Sequence, residues 1–207
     1  MGDGALTIKA IVFDLDGTLY QEDRLGEEVN QSAIHYVADL KGVAPAEAET
    51  LLQATRAADG AGGTLSRAVV ALGGTLQEMH LRFAADCHPE QLLKPDHRVR
   101  VLLQLLSTRF QLHLYTNNNR NLSSRIMKQI GVDDLLERVF TIEDHWIPKP
   151  DRRIIEDILA KIDCRAQETL FVGDRYRVDL AVPEAMGCAV FEMKTTEELL
   201  TLADLVH

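Results

Sequence analysis

The segment IKAIVFDLDGTL, residues 8–19, contains the strongest local indication of a fold in this 207-residue chain. It begins as a short, mostly apolar run with β-branched side chains, which is typical of a buried parallel strand. The run then breaks at Asp14-Leu15-Asp16-Gly17-Thr18, where a glycine follows two acidic residues, as in many turns. The segment therefore predicts a buried strand that ends in two carboxylates.

Four later runs have the same character and are also predicted to be strands. They are Gln111–Thr116, Arg138–Ile142, Thr169–Gly173 and Cys188–Glu192. Single helical segments separate the later strands, at 120–131, 151–161 and 178–186. A strand that alternates with a helix in this way predicts an α/β fold, a Rossmann-like parallel sheet of five strands with helices on both faces.

The interval between the first two strands has a different pattern. Residues 21–93 show helical periodicity without a convincing strand, and Pro45 is well placed to start a helix. Breaks are expected at 59–63 and at Gly73-Gly74. A connection of roughly 75 residues is far longer than an ordinary crossover, so we expect an inserted all-helical cap subdomain. The predicted division is a catalytic core of residues 1–20 and 94–207 and a cap of residues 21–93.

The composition excludes several classes of protein. The formal net charge of −10 and the pI near 5.1 disfavour binding to nucleic acid or to an anionic membrane surface. We recognise no signal peptide and no apolar run that could span a membrane. Three scattered cysteines do not form a disulfide framework, and they suit a reducing compartment. The expected location is the cytoplasm; the oligomeric state stays open, and a monomer is compatible with the sequence.

Polar residues follow the carboxyl ends of four predicted strands, where open parallel sheets bind ligands. They are Asp14 and Asp16, then Thr116 and Asn117, then Lys149, and finally Asp174 and Asp179. Several carboxylates at one edge need a cation between them, and such oxygen ligands suit Mg²⁺. Lysine and amide groups can stabilise phosphoryl oxygens. The pattern indicates metal-assisted phosphoryl transfer to or from a small phosphorylated metabolite.

The same residues resemble the four motifs of the haloacid dehalogenase superfamily. The matching stretches occur in the family's order: DLDGTL at 14–19, Thr116-Asn117, Lys149-Pro150, and Gly173-Asp174 with Asp179. The helical insertion resembles the cap of the family's C1 group. Gly62-Gly63-Thr64-Leu65, residues 83–93 and the run YTNNN at 115–119 resemble, more loosely, pyrimidine 5′-nucleotidase-like members.

The resemblance implies a role for each matching residue. Asp14 would be the nucleophile and Asp16 the general acid and base. The backbone at Gly17 and Thr18, with Thr116, Asn117 and Lys149, would bind the phosphoryl group. Asp14, the backbone carbonyl of Asp16 and Asp174 would hold Mg²⁺, although Mn²⁺ or Co²⁺ could replace it in the cell. Asp179 would orient Lys149 or a metal-bound water.

The expected function is that of a Mg²⁺-dependent phosphatase of small phosphate monoesters that works through an aspartyl phosphate. Nucleoside 5′-monophosphates are one candidate substrate class, alongside sugar phosphates and phosphoglycolate. An acid two residues after the nucleophile favours phosphate esters, since halide leaves without a proton. Two alternatives stay open: a phosphomutase of the same family, and a non-enzymatic receiver-like phosphoacceptor module.

Several other polar residues carry weaker expectations. Arg56 and Arg67 could contact the polar part of a substrate, although solvated helix arginines are commoner. Asn118 and Asn119 are expected to cap the next helix, because Asn favours that position. His145 is interpreted as a loop residue rather than a base, and Trp146 as packing against either the core or the cap.

Overall fold

A five-stranded parallel β-sheet lies at the centre of the protein. The structure is a computed structural model, and it describes residues 8–58 and 63–206. The strands are β1 Ala10–Phe13, β2 Gln111–Tyr115, β3 Arg138–Phe140, β4 Thr169–Gly173 and β5 Ala189–Glu192, arranged in the order β3-β2-β1-β4-β5. This confirms the α/β fold class, the number of strands and their parallel direction.

The register of the sheet brings the predicted motifs together. Phe13 of β1 pairs with Leu114 of β2 and with Val172 of β4. The first, second and fourth motifs therefore begin at neighbouring positions along one edge of the sheet. All four residues of β1 are buried, which agrees with a strand covered on both faces.

Among the described residues, the insertion after β1 contains five helices. They are α1 Asp23–Lys41, α2 Pro45–Ala58, α3 Leu65–Ala71, α4 Leu76–Asp86 and α5 Pro89–Leu92. The described part of residues 21–93 contains no strand, as the helical periodicity predicted. The predicted break at Gly73-Gly74 separates α3 from α4, and most of the break at 59–63 lies outside the described residues.

Five more helices belong to the alternating part of the chain. They are α6 His97–Leu106, α7 Arg120–Ile130, α8 Arg152–Lys161, α9 Ala181–Ala185 and α10 Thr196–Leu200. Alternate residues of β1 face opposite sides: Ile11 and Phe13 pack in one apolar cluster, and Ala10 and Val12 in another. The sheet is therefore covered on both faces, with α8 on the side of Val12.

The predicted helix over 178–186 is irregular where it begins. Residues Tyr176–Leu180 form one turn of π-helix, and the α-helix proper starts only at Ala181. The carboxylate of Asp179 turns back to accept a hydrogen bond from the backbone N–H of Arg175, at 3.1 Å. Single π-turns are frequent at functional sites, and this one fixes an acidic side chain beside the end of β4.

The helical insertion is fastened to the sheet side of the molecule by Arg125 of α7. Its guanidinium donates to the carbonyl oxygens of Ala84 and Cys87, at 2.9 and 2.8 Å, and it pairs with Glu90 at 2.6 Å. One arginine thus satisfies carbonyls at the end of α4, where backbone acceptors lack intrahelical partners. No helix among the described residues is long and apolar enough to cross a membrane.

Candidate active site

Asp14 and Lys149 form a buried ion pair where β1 ends. Lys149 Nζ lies 2.7 Å from Asp14 Oδ1 and 3.0 Å from Asp179 Oδ1. Asp14 is 4% exposed and Lys149 is 2% exposed, so both charges are almost completely removed from water. The Thr18 hydroxyl makes a longer contact, 3.4 Å, with the other Asp14 oxygen. Two predicted catalytic residues separated by 135 positions are therefore in direct contact.

Burial determines the ionisation of this cluster. It raises the pKa of Asp14 to about 7, against the opposing attraction of the Lys149 ammonium. For Lys149, burial alone lowers the pKa, but Asp14 and Asp179 outweigh it, so the pKa stays above its ordinary value. Burial also raises the pKa of Asp174. One ammonium among three neighbouring carboxylates leaves an excess of negative charge that a cation can neutralise.

The residues present fit a divalent cation. One carboxylate oxygen each from Asp14, Asp174 and Asp179 lie within 4.8 Å of one another. Oδ1 of Asp174 is buried and has no hydrogen-bond partner among the described residues, which is unusual for a carboxylate away from water. Both oxygens of Asp179 already accept hydrogen bonds, from Lys149 and from the Arg175 backbone. Asp174, which has an oxygen without a hydrogen bond, is thus better placed to bind a cation than Asp179.

Gly17 allows the first and fourth motifs to approach closely. Its φ of +80° lies in the left-handed region, and a Cβ there would be 2.7 Å from Asp174 Oδ2. The Gly17 backbone therefore lies directly against the candidate cation ligand Asp174.

Asp16 lies outside the carboxylate cluster and has its own partners. The Tyr20 hydroxyl donates to Asp16 Oδ1 at 2.5 Å, and the Asn118 amide donates to Oδ2 at 2.8 Å. Two neutral donors thereby hold the Asp16 side chain in place. The role predicted for Asp16 in metal binding is that of its backbone carbonyl, and this role stays a prediction.

Thr116 and Asn117 begin the loop after β2, and both side chains accept hydrogen bonds from backbone N–H groups. The Thr116 hydroxyl accepts a hydrogen bond from the backbone of Asn118, at 3.1 Å. The Asn117 side-chain oxygen accepts from the Lys149 backbone at 2.8 Å, which leaves its amide nitrogen as the donor. Asn117 therefore holds the loop that carries Lys149, besides any contact with a phosphoryl group.

The prediction that Asn118 and Asn119 both cap the next helix is wrong for Asn118. Asn119 Oδ1 accepts the backbone N–H of Leu122 at 2.7 Å and is the cap of α7. Asn118 instead reaches Asp16, because the turn after β2 points its side chain toward the end of β1. A helix has one N-cap position, so three consecutive asparagines after a strand indicated that some have another role.

A cavity of about 1240 Å³ lies between the helical insertion and the carboxyl edge of the sheet. Asp16, Asn117 and Asp174 line it from the sheet side. The insertion contributes residues from α1 and α4, together with Arg56 of α2 and the turn before α3. Such a cavity beside the candidate nucleophile is a suitable place for a small substrate.

His80 of α4 is a cavity residue that the sequence did not single out. Its side chain is 3% exposed, and neither ring nitrogen has a hydrogen-bond partner among the described residues. Burial lowers its pKa to about 4, so the imidazole is neutral at pH 7. The ring packs edge-on against Phe83, with centroids 5.1 Å apart, and 6.1 Å from Trp146.

The other residues singled out from the sequence differ in whether they line the cavity. Arg56 lines the cavity, whereas Arg67 donates to the Pro150 carbonyl at 3.2 Å and is outside the described lining. His145 pairs with Asp157 at 2.8 Å, consistent with a loop residue. Trp146 packs against the apolar cluster around β1 and faces α4, so it contacts both the core and the insertion.

Comparison with known protein families identifies the class to which this site belongs. A family model for haloacid dehalogenase-like hydrolases matches residues 8–187. The match covers most of the chain and all four motifs. The chain therefore belongs to the haloacid dehalogenase-like hydrolase family, which confirms the resemblance to that superfamily.

Several relatives in sequence are named as phosphatases. The glyceraldehyde 3-phosphate phosphatase of Methanothermobacter thermautotrophicus is 23% identical over 207 residues, covering 92% of this chain and 88% of that protein. The phosphoglycolate phosphatase of Pectobacterium atrosepticum is 28% identical over 194 residues, covering 87% of this chain and 78% of that protein. These relatives are named for phosphatase activity on small phosphate substrates, which agrees with the hydrolase family that the chain matches.

Solved structures share the fold across different chemistries. A phosphatase of the family from Thermococcus onnurineus superimposes with a TM-score of 0.63, at 19% identity, covering 94% of this chain and 97% of that one. A 2-haloacid dehalogenase from Pseudomonas syringae gives 0.61 at 20% identity, covering 97% and 98%. The fold is thus common to phosphate and halide chemistry, and the residues of the site must distinguish them.

Proposed function

We propose that this protein is a Mg²⁺-dependent phosphatase that hydrolyses small phosphate monoesters through an aspartyl phosphate on Asp14. The observation that carries the proposal is the buried Asp14 carboxylate in contact with the Lys149 ammonium and beside Asp174. A carboxylate held in this way is positioned as a nucleophile, and the neighbouring cation limits its repulsion of an anionic phosphate.

In the first half-reaction, an Asp14 carboxylate oxygen attacks phosphorus and the bond from phosphorus to the leaving oxygen breaks. Protonated Asp16 donates its proton to that oxygen, and an alcohol leaves. Lys149, Asn117 and the backbone N–H groups around Gly17 stabilise the charge on the phosphoryl oxygens. The products of this step are the free alcohol and phosphorylated Asp14.

In the second half-reaction, water attacks phosphorus and Asp16, now a carboxylate, accepts the proton of that water. The bond between phosphorus and Asp14 breaks, and inorganic phosphate is released. Tyr20 and Asn118 hold Asp16 in place in both halves, since each can donate to its carboxylate. The site then returns to its starting state.

Asp14, Asp174 and the backbone carbonyl of Asp16 would hold Mg²⁺, which would neutralise charge and help to orient the phosphate. Asp179 orients Lys149 through the 3.0 Å contact and is not needed as a direct ligand. The Asp174 oxygen that lacks a hydrogen bond supports this assignment, because a buried carboxylate oxygen without a hydrogen-bond donor is costly.

We further propose that residues 21–93 act as a cap of the C1 type that contacts the leaving group. The insertion forms one side of the cavity, so its side chains face whatever is attached to the phosphate. Relatives named for glyceraldehyde 3-phosphate and for phosphoglycolate support small phosphorylated metabolites as substrates. Nucleoside 5′-monophosphates stay a candidate class for the same cavity and belong in the substrate panel.

The test is phosphate release from p-nitrophenyl phosphate and from a panel of sugar phosphates, phosphoglycolate and nucleoside monophosphates. Each substrate is assayed with Mg²⁺ and with EDTA, for the wild type and for Asp14→Asn. We expect metal-dependent release that is lost in the variant. Equal activity in Asp14→Asn contradicts the proposal, and so does wild-type activity that is unchanged by EDTA.

Product analysis separates the proposed phosphatase from the two alternatives. A phosphomutase converts a sugar phosphate into its isomer, whereas a phosphatase releases inorganic phosphate. A receiver-like module retains a long-lived phosphoaspartate and turns nothing over. Family membership and the cavity favour turnover. Phosphate release, identification of the sugar-phosphate product and a mass measurement of the protein together decide among the three.

A further inference from the structure

Four cationic side chains line the cavity among the residues that the structure describes, and their surroundings differ. They are Arg24, Arg56, Arg175 and Lys194. A cation that is already paired with protein carboxylates has little attraction left for a ligand, whereas an uncompensated cation can bind an anion. The partners of each side chain therefore show which one is available to a substrate.

Two of the four are already paired. Arg24 forms two hydrogen bonds with the Glu22 carboxylate, at 2.8 and 2.7 Å. Lys194 lies 2.6 Å from a Glu192 oxygen and also contacts the backbone carbonyl of Asp174. These cations stabilise the walls of the cavity.

Arg175 belongs to the phosphoryl end of the site. Its Nε lies 3.7 Å from Asp174 and 3.9 Å from Asp179, so its charge faces the carboxylates of the candidate cation site. Arg175 follows Asp174 directly in the chain, and it is thus held on the sheet side of the cavity.

Arg56, on the insertion side of the cavity, has no carboxylate partner among the described residues. Among the described residues its guanidinium makes one hydrogen bond, from Nε to the carbonyl oxygen of Gly63 at 3.4 Å, and this acceptor is neutral. No carboxylate of the described residues lies within 4.0 Å of its guanidinium. Four of the five guanidinium N–H donors therefore have no described protein acceptor, at a position that lines the same cavity as Asp16.

We propose that Arg56 binds a second anionic group on the leaving part of the substrate, either a carboxylate or another phosphoryl group. This inference rests on the proposed function, because it concerns the part of the substrate that remains once the phosphoryl group is transferred to Asp14. The substrate then spans the cavity, with its phosphate at the sheet edge and its second anion at α2. A guanidinium recognises both kinds of anion through paired N–H donors.

Two acidic residues of α1 oppose the binding of an anion in this cavity. Asp23 and Glu27 also line the cavity; like Arg56, both are exposed, so water and salt screen all three charges. A leaving group with one anion near Arg56 is favoured, whereas a neutral leaving group gains nothing there. The cavity should therefore distinguish two substrates of the same size by charge alone.

The test compares 3-phosphoglycerate with glycerol 3-phosphate, which have similar size and differ in a carboxylate, alongside 2-phosphoglycolate. For the wild type we expect the two carboxylate substrates to be preferred in kcat/KM. In Arg56→Gln we expect KM for them to rise at least about tenfold, the value of a charged hydrogen bond. Glycerol 3-phosphate and p-nitrophenyl phosphate, which lack the second anion, should change less than about twofold.

Arg82→Gln is the matched control, because it removes the same charge from the same insertion. Arg82 pairs with Asp39 at 2.8 Å and is not part of the described cavity lining. It should leave the preference between the substrates unchanged. An equal response of Arg56→Gln and Arg82→Gln overturns the proposal, as does a wild-type enzyme that shows no preference for the anionic substrates.

A binding measurement keeps this inference separate from the proposed function. Calorimetric titration of the same ligands into Asp14→Asn, with and without Arg56→Gln, requires no turnover. Weaker binding of 3-phosphoglycerate on loss of Arg56 supports the subsite even if the enzyme assay fails. Unchanged binding refutes it, while p-nitrophenyl phosphate hydrolysis by the wild type independently tests the phosphatase.

Discussion

Tyr20 and Asp16 are joined by a 2.5 Å hydrogen bond from the phenol to a carboxylate oxygen. The other oxygen of Asp16 accepts from Asn118, so the proposed acid and base has two neutral partners from different parts of the chain. A hydroxyl can donate to a carboxylate and accept from the protonated acid, whereas an amide NH₂ only donates. Tyr20 can therefore reverse the direction of its hydrogen bond when Asp16 is protonated, while Asn118 can donate to the unprotonated oxygen in either state.

The Tyr20→Phe variant tests this positioning role. We expect kcat for an alkyl phosphate to fall roughly tenfold, because an alkoxide needs a correctly placed acid in order to leave. Release from p-nitrophenyl phosphate should fall much less, since nitrophenolate is a good leaving group. The measurement is kcat for the two substrates side by side. An equal loss for both would mean that the phenol has only a general structural role.

Mg²⁺ binding should weaken as the pH falls. Burial raises the pKa of Asp14 to about 7 in the cation-free protein, so below that pH a proton must leave before the cation binds. We expect the apparent affinity to drop roughly tenfold between pH 7.5 and pH 6. Calorimetry in two buffers of different ionisation enthalpy would count the released protons. An affinity that is constant over this range contradicts the assignment of Asp14 as a ligand.

A comparison of Gly17 with Gly42 tests the importance of the close contact between Gly17 and Asp174. Both have positive φ, +80° and +66°, but a Cβ on Gly17 would meet Asp174 at 2.7 Å, whereas Gly42 has no atom within 4 Å. Gly42→Ala should cost only the backbone strain, about 1 kcal/mol. Gly17→Ala should cost a comparable amount and also displace Asp174.

The measurement for this pair is chemical denaturation together with the Mg²⁺ dependence of activity. Gly17→Ala should require a higher Mg²⁺ concentration for half-maximal activity, and Gly42→Ala should not. If both variants keep the wild-type Mg²⁺ dependence, the contact between Gly17 and Asp174 has no bearing on the cation site.

His80 should make the protein sensitive to acid. Burial lowers its pKa to about 4, below the value of 6.5 in the unfolded chain, so the unfolded state binds more protons as the pH falls. The stabilising contribution is fully present above pH 6.5 and is lost between pH 6.5 and 4. From pH 7 to pH 5 this amounts to about 2 kcal/mol in the free energy of unfolding.

The check is urea denaturation of the wild type and His80→Leu at both pH values. The variant should lose about 2 kcal/mol less than the wild type on going to pH 5, whatever its stability at pH 7. His113, which is also buried and has a pKa lowered to about 4, remains in both proteins and does not affect the difference. The same loss in both proteins would mean that His80 is not held neutral.

Much of the site followed from the sequence alone. Parallel strands covered on both faces are recognisable as short apolar runs, and their register is restricted by the need to bury both faces. Residues that follow such strands must then lie along one edge, as Asp14, Thr116 and Asp174 do. Strand ends therefore predicted which residues lie at this edge, whereas the resemblance to the family supplied their proposed roles.

The partners of those residues could not be assigned in this way. Asn118 was expected at a helix cap, but the turn after β2 points it at Asp16, and Asn119 takes the cap. His80 carried no sequence signal, because its burial depends on how α4 packs on the loop after β2 and on Trp146. Contacts of this kind depend on packing between elements far apart in the chain.

The sequence by itself determined the class of fold, the order of its elements and the residues at the strand ends, because these depend on local periodicity and on the geometry of a parallel sheet. Only the tertiary structure decided which insertion residues meet the sheet edge. Arg56 lines the cavity and Arg67 contacts Pro150, although both are helix arginines with similar neighbours. Their difference arises from how the helices of the insertion pack, a property that no local pattern of residues encodes.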